Sequence, residues 1–138
     1  MAGVSATRTP RPRRPRGAAE SLGSIVLGFE AIIAFLAGLV IYGLDALPGG
    51  IEPWWGVVAG TVLAVLMVIT AGLLRHRWAI ALGWALQVVV ALGALLVPAL
   101  LLVALIFGGM WAYATIKGAS LDRRNARLAA EVEQRNGD

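Results

Sequence analysis

The chain has 138 residues, enough for one domain, of which 59% are hydrophobic and 14% are charged. Soluble domains carry about 45–50% apolar and about 25% charged residues, so this composition is typical of an integral membrane protein. The sequence has no cysteine and one histidine, His76, which excludes disulfides, thiolate metal sites, cysteine nucleophiles and metal sites made by two histidines.

Residues 1–20 are predicted to form a disordered basic arm. Five arginines are interleaved with three prolines there, and both proline and like-charge repulsion oppose a helix. The arm could be mistaken for the start of a signal peptide. However, the apolar run that follows is longer than the roughly 7–15 residues of a cleaved signal, and no A-x-A site closes it. We expect the arm to be retained.

Four apolar stretches follow and are predicted to be membrane-spanning helices. A helix needs about 20 residues to cross a hydrocarbon layer of about 30 Å. The uncharged block from residue 78 to 116 is too long for one span, and Pro98 divides it because proline cannot continue a helix without losing a hydrogen bond. The predicted spans are approximately residues 24–44, 54–74, 78–96 and 99–116. The predicted fold is therefore all-α: an integral membrane four-helix bundle over residues 21–118.

The distribution of basic residues predicts the orientation. All twelve lie in the arm, in the 74–78 connection or after residue 116, whereas the 45–53 connection carries only acidic charges and the turn at 97–98 carries none. With four spans, every basic residue falls on one side of the membrane. By the positive-inside rule, both termini are expected in the cytoplasm and the protein in the cytoplasmic membrane.

Residues 119–138 are predicted to form a short cytoplasmic helix with Ser120 as its N-cap. Arg127, Glu131 and Arg135 have the i,i+4 spacing of helical ion pairs. Mostly apolar residues recur on one face of this helix with 4-3-4 spacing, but they cover only two heptads, fewer than a coiled coil requires. That face consists of Leu121, Asn125, Leu128 and Val132. A solvated helix is the interpretation.

Glu30 lies inside the first apolar stretch, where an ionised and unpaired carboxylate would cost several kcal/mol. It must be protonated, paired or facing water, and it is either functional or a structural hydrogen-bonding group. Gln87 is the candidate partner, because both side chains lie at similar depths from the cytoplasmic ends of their spans, roughly 9 and 13 Å. The alternative is an ion pair with Arg75 or Arg77, formed when the arginine reaches up or Glu30 reaches down by snorkelling. The predicted site is a small polar cluster in the cytoplasmic half of the bundle, made by Glu30, Gln87, Thr70, Trp84 and Trp111.

Two other patterns predict contacts with lipid and between helices. The cytoplasmic boundary is predicted to place basic and aromatic side chains against lipid headgroups. Those residues are Arg75, Arg77, Trp78 and Lys117. Small residues recur at four-residue spacing in every span, as in Gly56 and Gly60, which favours close helix packing.

Signatures of catalysis and cofactor binding are missing from the sequence. It contains no phosphate loop, dinucleotide fingerprint or metal-ligand spacing, and no nucleophile paired with a base. We therefore expect no enzyme activity, no cofactor and no metal. Nucleic-acid binding is also not expected, because the basic residues are separated by long apolar segments.

Three motifs resemble a known family. The motifs are FEAI in the first span, LLRHRWAIALGWALQ leading into the third, and GGMWAY before the basic tail. They are similar to the actinobacterial four-helix membrane proteins grouped as domain of unknown function 4233, over about residues 20–118. The resemblance implies a four-helix topology and draws attention to Glu30, Arg77, Trp78, Gln87 and Trp111. It implies no activity.

Two functions remain open. The first is a non-enzymatic accessory or assembly component of a membrane complex, with the lipid bilayer and either a membrane protein or a second copy as partner. The alternative is a small proton-coupled transporter that uses Glu30. Against the alternative, an antiparallel dimer like that of the small multidrug-resistance exporters needs almost no charge bias, and here the bias is complete.

Overall fold

The computed structural model describes residues 17–137, so most of the predicted basic arm lies outside the described residues. The described chain is all-helical, as predicted. Its four helices are α1 (Ala18–Gly43), α2 (Trp54–Gly72), α3 (Arg77–Gly93) and α4 (Ala99–Gly137). Helices α1, α2 and α4 are long and apolar enough to cross a membrane, and α3 is a shorter apolar helix of 17 residues. These are the helices of a membrane protein.

Two boundaries correct the predicted arm and spans. Helix α1 begins at Ala18, so residues 18–20 are helical rather than disordered. Helix α3 ends at Gly93, and residues 94–98 form the turn into α4. In that turn the N–H of Val97 donates to the carbonyl of Gly93, which holds the chain in a tight hairpin before Pro98.

The other end of α1 stops in a defined hydrogen-bonded turn. The N–H of Ala46 donates to the carbonyl of Ile41, and the N–H of Asp45 donates to that of Tyr42. This is the Schellman pattern, in which the residue after the C-cap is left-handed. Asp45 has a φ of 48° there, a conformation that short polar residues tolerate better than most. The turn directs the chain into the 44–53 loop.

Two ends of the bundle can be distinguished. At the basic end, Gly17 approaches Asp122 on α4, and Leu74 of the 73–76 turn approaches Gly23. Basic residues of the described chain lie in that turn, at the start of α3 and on the last part of α4. The loop end holds the 44–53 loop and the 94–98 turn. The separation of charge expected from the sequence is therefore present in the folded chain.

Helices α1 and α2 cross at glycines. A methyl group added to Gly60 would lie 2.8 Å from the Cα of Gly38 and 2.9 Å from the carbonyl oxygen of Ala34. One added to Gly38 would lie 2.7 Å from the carbonyl oxygen of Gly56. The small residues at four-residue spacing thus let the two backbones come into direct contact, which is how spans associate in lipid.

Helix α4 is continuous for 39 residues, about 58 Å, so the predicted break between a fourth span and a separate tail helix does not occur. Ser120 is inside the helix and is not an N-cap. Gly118 lacks a Cβ where the backbone of Ala19 crosses it, and Asp122 accepts hydrogen bonds from the start of α1. Packing of Gly118 and Asp122 on α1 supports the helix across the predicted break.

Unlike a soluble bundle, this one buries polar side chains and exposes many large apolar ones. Glu30 and Thr70 are fully buried, and Gln87 is 6% exposed. The outward faces of all four helices carry exposed leucine, valine, isoleucine and phenylalanine side chains, such as Phe29 and Leu105. Apolar surface on every side of a bundle that buries an acid and an amide is the pattern that lipid, and not water, accommodates.

Candidate functional site

The centre of the candidate site is a buried contact between Glu30 and Gln87. The Nε2 of Gln87 donates a hydrogen bond of 2.5 Å to Oε2 of Glu30. Helix α1 packs mainly on α2 and α4, and α3 packs on α4 and, at fewer positions, on α2. Helices α1 and α3 therefore lie diagonally across the bundle. Two long polar side chains are needed to bridge that diagonal, and the bridge passes close to Gly108 of α4.

Glu30 lies near the middle of α1. Glu30 is the thirteenth of the 26 residues of α1, about 18 Å from its first residue and about 20 Å from its last. The prediction counted from Ser24, but α1 begins six residues earlier. The nearest basic residue along α3 is Arg77, ten residues or about 15 Å before Gln87. No cation is therefore placed beside the carboxyl by the described part of α3.

A layer of fully buried side chains separates the site from the basic end. Its members are Leu27, Met67, Thr70 and Trp111, each with 0% exposure. Trp111 lies between α1 and α3, where its ring occupies the space left by Gly23 and Gly83. Both glycines precede the Glu30–Gln87 pair on their helices. The layer therefore closes the interior on that side.

Two predicted members of the polar cluster, Thr70 and Trp111, belong to this layer rather than to the hydrogen-bonded pair. The Thr70 hydroxyl donates to the carbonyl of Leu66, one turn back on its own helix. The Trp111 Nε1–H is buried without an acceptor among the described residues. Gln87 is thus the only predicted member that hydrogen-bonds to Glu30 within residues 17–137.

Trp84 is not part of the cluster. Its side chain is 42% exposed and lies on the outer surface of α3. It follows the buried Gly83 by one residue, which turns it about 100° around the helix axis. The prediction considered depth along the span, whereas the direction around the axis decides which side chains meet.

A cleft extends from Glu30 toward the loop end. It has a volume of about 310 Å³ and is lined by residues of all four helices, with the largest share from α1. Glu30 is its single polar side chain, and the apolar lining reaches residues near the helix ends. Those residues include Ile41, Leu96 and Leu100. The carboxyl thus lies at the inner end of a partly open apolar cleft.

The predicted headgroup-contacting residues all lie at the basic end and on the surface. Arg75, Arg77, Trp78 and Lys117 are exposed. The ring of His76 stacks on Trp78 with centroids 5.9 Å apart and an interplanar angle of 17°. His76 also accepts a hydrogen bond of 3.3 Å from Nε of Arg75. The turn therefore presents a compact basic and aromatic surface.

Sequence reasoning missed two polar contacts that position the helices. The backbone N–H of Ala18 donates to Asp122 at 2.6 Å, and that of Ala19 donates to the other carboxylate oxygen at 3.3 Å. The Ser24 hydroxyl lies 3.2 Å from the carbonyl oxygen of Ala71, one of the last carbonyls of α2, which have no partner within the helix. An acid in a tail and a serine at a helix start carry no sequence signal for such distant partners.

The arrangement is chemically simple. In residues 17–137, no three or more His, Cys, Asp or Glu side chains are grouped to hold a metal ion. A carboxyl group in an apolar cleft can take up a proton, bind a cation or accept a hydrogen bond. The chemistry available to this site is the replacement of one of these by another at the Glu30 carboxyl: a proton, a cation or a hydrogen-bond donor.

Comparison with known proteins supports the family resemblance and extends it. A family described as a protein of unknown function, DUF4233, matches residues 21–127. No curated protein and no solved structure matches the chain. The match continues nine residues past the predicted limit at 118, through Asp122 and the part of α4 that packs on α1. Since it covers more than half of the sequence, the chain belongs to the DUF4233 family.

Proposed function

We propose that the protein crosses the cytoplasmic membrane four times, with both termini in the cytoplasm. The support is the collection of basic residues at one end of the bundle and the acidic Asp45 and Glu52 at the other. Helix α3 is about 26 Å long, and its turn residues extend it toward the roughly 30 Å that a span needs.

The absence of native cysteine allows a direct test of this topology. Single cysteines are introduced at Gly49, in the loop end, and at Asn136, near the end of α4. Intact cells are treated with a membrane-impermeant maleimide. The proposal expects labelling at position 49 only, with position 136 labelled after the membrane is permeabilised. Labelling of position 136 in intact cells would exclude it.

We propose that the protein is a non-enzymatic accessory or assembly component of a membrane complex. The observation that carries this proposal is the last part of α4. Residues 123–137 are helical and exposed, and they extend past the point where α4 contacts α1. Leu128 and Val132 are 49% and 56% exposed on one face of that extension. Exposed apolar side chains at i and i+4 on this extension form an apolar stripe, which favours a protein partner that covers it.

Site-specific crosslinking tests this function. A photoreactive phenylalanine analogue is placed at Leu128, and a matched control places it at Ala130, which is about 200° around the helix. A partner that docks on the apolar face gives a defined adduct from position 128 and little from 130. Mass spectrometry distinguishes another membrane protein from a second copy. Adducts of equal yield and mixed composition from both positions contradict the proposal.

A second candidate function is proton-coupled transport, and the cleft favours it. Glu30 lines the inner end of the cleft on the loop-end side, and the Trp111 layer lies between it and the basic end. Access from one side at a time is the arrangement that alternating-access transport requires. The charge bias gives every copy of the chain the same orientation in the membrane, so this proposal needs a monomer or a parallel oligomer.

Proteoliposomes test the transport candidate. Proton movement driven by a substrate gradient is measured with an enclosed pH-sensitive dye. Glu30→Gln is expected to abolish the coupled flux, and the matched loop variant Glu52→Gln to leave it unchanged. Coupled flux that persists in Glu30→Gln removes Glu30 from the mechanism.

A further inference from the structure

The Glu30–Gln87 contact leaves an excess of hydrogen-bond acceptors, and Glu30 brings one of them to the inner end of the cleft. Oε1 of Glu30 and Oε1 of Gln87 are both buried without a donor among the described residues. Buried polar atoms nearly always have a partner, and a missing one costs about 1–3 kcal/mol. The unpartnered oxygen of Glu30 therefore marks a position in the cleft for a group that donates hydrogen bonds, and Gln87 adds a second acceptor on the residue bonded to Glu30.

The cleft around this position is apolar and of defined size. Its volume of about 310 Å³ is at the lower end of the roughly 300–1,000 Å³ typical of small-molecule sites. Leucine, isoleucine and valine side chains from all four helices line it, with Gly38, Gly60 and Gly93 among them. A compact apolar body fits this lining, whereas an extended polar ligand has nothing to bond with.

We propose that the cleft binds a small apolar amine. The ammonium group donates hydrogen bonds to the unpartnered oxygens of Glu30 and Gln87, and its positive charge pairs with the Glu30 carboxylate. The apolar body occupies the cleft toward Ile41 and Leu100. Charge-assisted hydrogen bonds are the strong ones, and a buried carboxylate without a cation is the costly state that the amine relieves.

The structure also assigns the direction of entry. The layer that includes Leu27 and Trp111 closes the site toward the basic end, so the amine enters from the loop end. This inference rests on the second candidate function, since an exporter or importer of amines would use the same site. Binding is measured without a gradient, so it can fail or succeed independently of transport.

The test uses the full chain in nanodiscs made with phosphatidylcholine, a lipid that has no primary amine. The probe is tritiated adamantan-1-amine, a compact hydrocarbon cage with one ammonium group. Empty nanodiscs measure partitioning into lipid. The wild-type protein is expected to show saturable binding, and Glu30→Gln to weaken it by roughly tenfold or more, as the loss of a charged hydrogen bond implies.

Two variants address the cleft itself without touching the polar pair. Ala59 lines the cleft and is exposed, so Ala59→Phe fills it from α2. Ala91 is an exposed alanine of α3 outside the lining, and Ala91→Phe adds the same bulk there. Binding is expected to be lost in Ala59→Phe and kept in Ala91→Phe. These variants keep the test valid if Glu30→Gln does not fold.

Three outcomes overturn the proposal. The first is equal binding by wild type and Glu30→Gln. The second is binding of neutral adamantan-1-ol as tight as that of the amine, which would indicate an apolar cavity that ignores the carboxyl. The third is binding that does not exceed partitioning into empty nanodiscs. Competition by the amine and not by the alcohol supports it.

Discussion

The carboxylate of Asp122, on α4, accepts a hydrogen bond of 2.6 Å from the backbone N–H of Ala18, the first residue of α1. The N-cap residue of α1 is Gly17, which has no side chain to cap the helix. Asp122 therefore performs from another helix what an N-cap side chain performs locally, and its negative charge lies at the positive end of the α1 dipole. This contact holds the start of α1 against α4 at the basic end of the bundle.

Replacing Asp122 should weaken that end. Asp122→Ala is expected to lower the free energy of unfolding by about 1 kcal/mol, the usual cost of losing a cap, and Asp122→Asn by less because one acceptor oxygen remains. Equilibrium unfolding in detergent measures the change. Glu133→Ala removes the same charge from an exposed position of α4 and serves as the control. If both alanine variants are equally stable, the contact does not hold the helices together.

Hydrogen exchange gives an independent reading of the same prediction. The amides of Ala18 and Ala19 should exchange faster in Asp122→Ala, because each loses its acceptor. Amides in the middle of α1 should keep their protection. Faster exchange along the whole helix would mean that the variant unfolds α1 rather than its first turn.

The glycine crossing of α1 and α2 predicts opposite effects for two identical substitutions. Gly60→Ala places a methyl group 2.8 Å from the Cα of Gly38 and should destabilise the protein by about 1–3 kcal/mol, because backbone cannot move aside easily. Gly28→Ala, within α1, meets no atom within 4 Å. It should stabilise by about 0.5–1 kcal/mol, since alanine is the better helix former.

Unfolding measurements on both glycine variants check the crossing. The sign of the difference matters more than its size. Equal effects of Gly60→Ala and Gly28→Ala would show that the two backbones are not in contact.

The buried Glu30–Gln87 pair predicts that swapping the two side chains preserves more stability than removing one of them. Gln87→Leu leaves Glu30 without its donor and should cost about 1–3 kcal/mol of unfolding free energy, more than the average of about 0.6 kcal/mol for interhelical hydrogen bonds in membranes. The double variant Glu30→Gln with Gln87→Glu keeps one acid and one amide. It should be more stable than Glu30→Leu with Gln87 retained, which removes the carboxyl and leaves the amide unpaired.

A double-mutant cycle on these positions provides the measurement. Coupling between residues 30 and 87 is expected to be favourable. A coupling energy indistinguishable from zero contradicts the contact across the bundle diagonal.

The two tryptophans of the predicted cluster should behave differently. Trp111→Ala empties a fully buried site and is expected to cost about 3–5 kcal/mol. Trp84→Ala removes a side chain that is 42% exposed, and the expected cost is nearer the roughly 0.5 kcal/mol of surface substitutions. Thermal unfolding in detergent separates them. Equal losses of stability in the two variants would contradict the exposed position of Trp84.

Composition and periodicity alone determined the class of the protein and its coarse plan. Long uncharged stretches, Pro98 and the confinement of basic residues predicted four helices with the cations at one end, because the length and charge of each segment are local properties. The contact of Glu30 with Gln87 was also predictable, since few polar residues are available in such segments and a buried acid needs a partner.

Tertiary structure decided the rest. The outward direction of Trp84, the closure by Trp111 and the position of Glu30 near the middle of α1 depend on how far α1 extends and on which face of each helix is buried. The capping of α1 by Asp122 joins residues 104 positions apart. A local pattern cannot indicate such a pair, because its energy exists only once the two helices have packed.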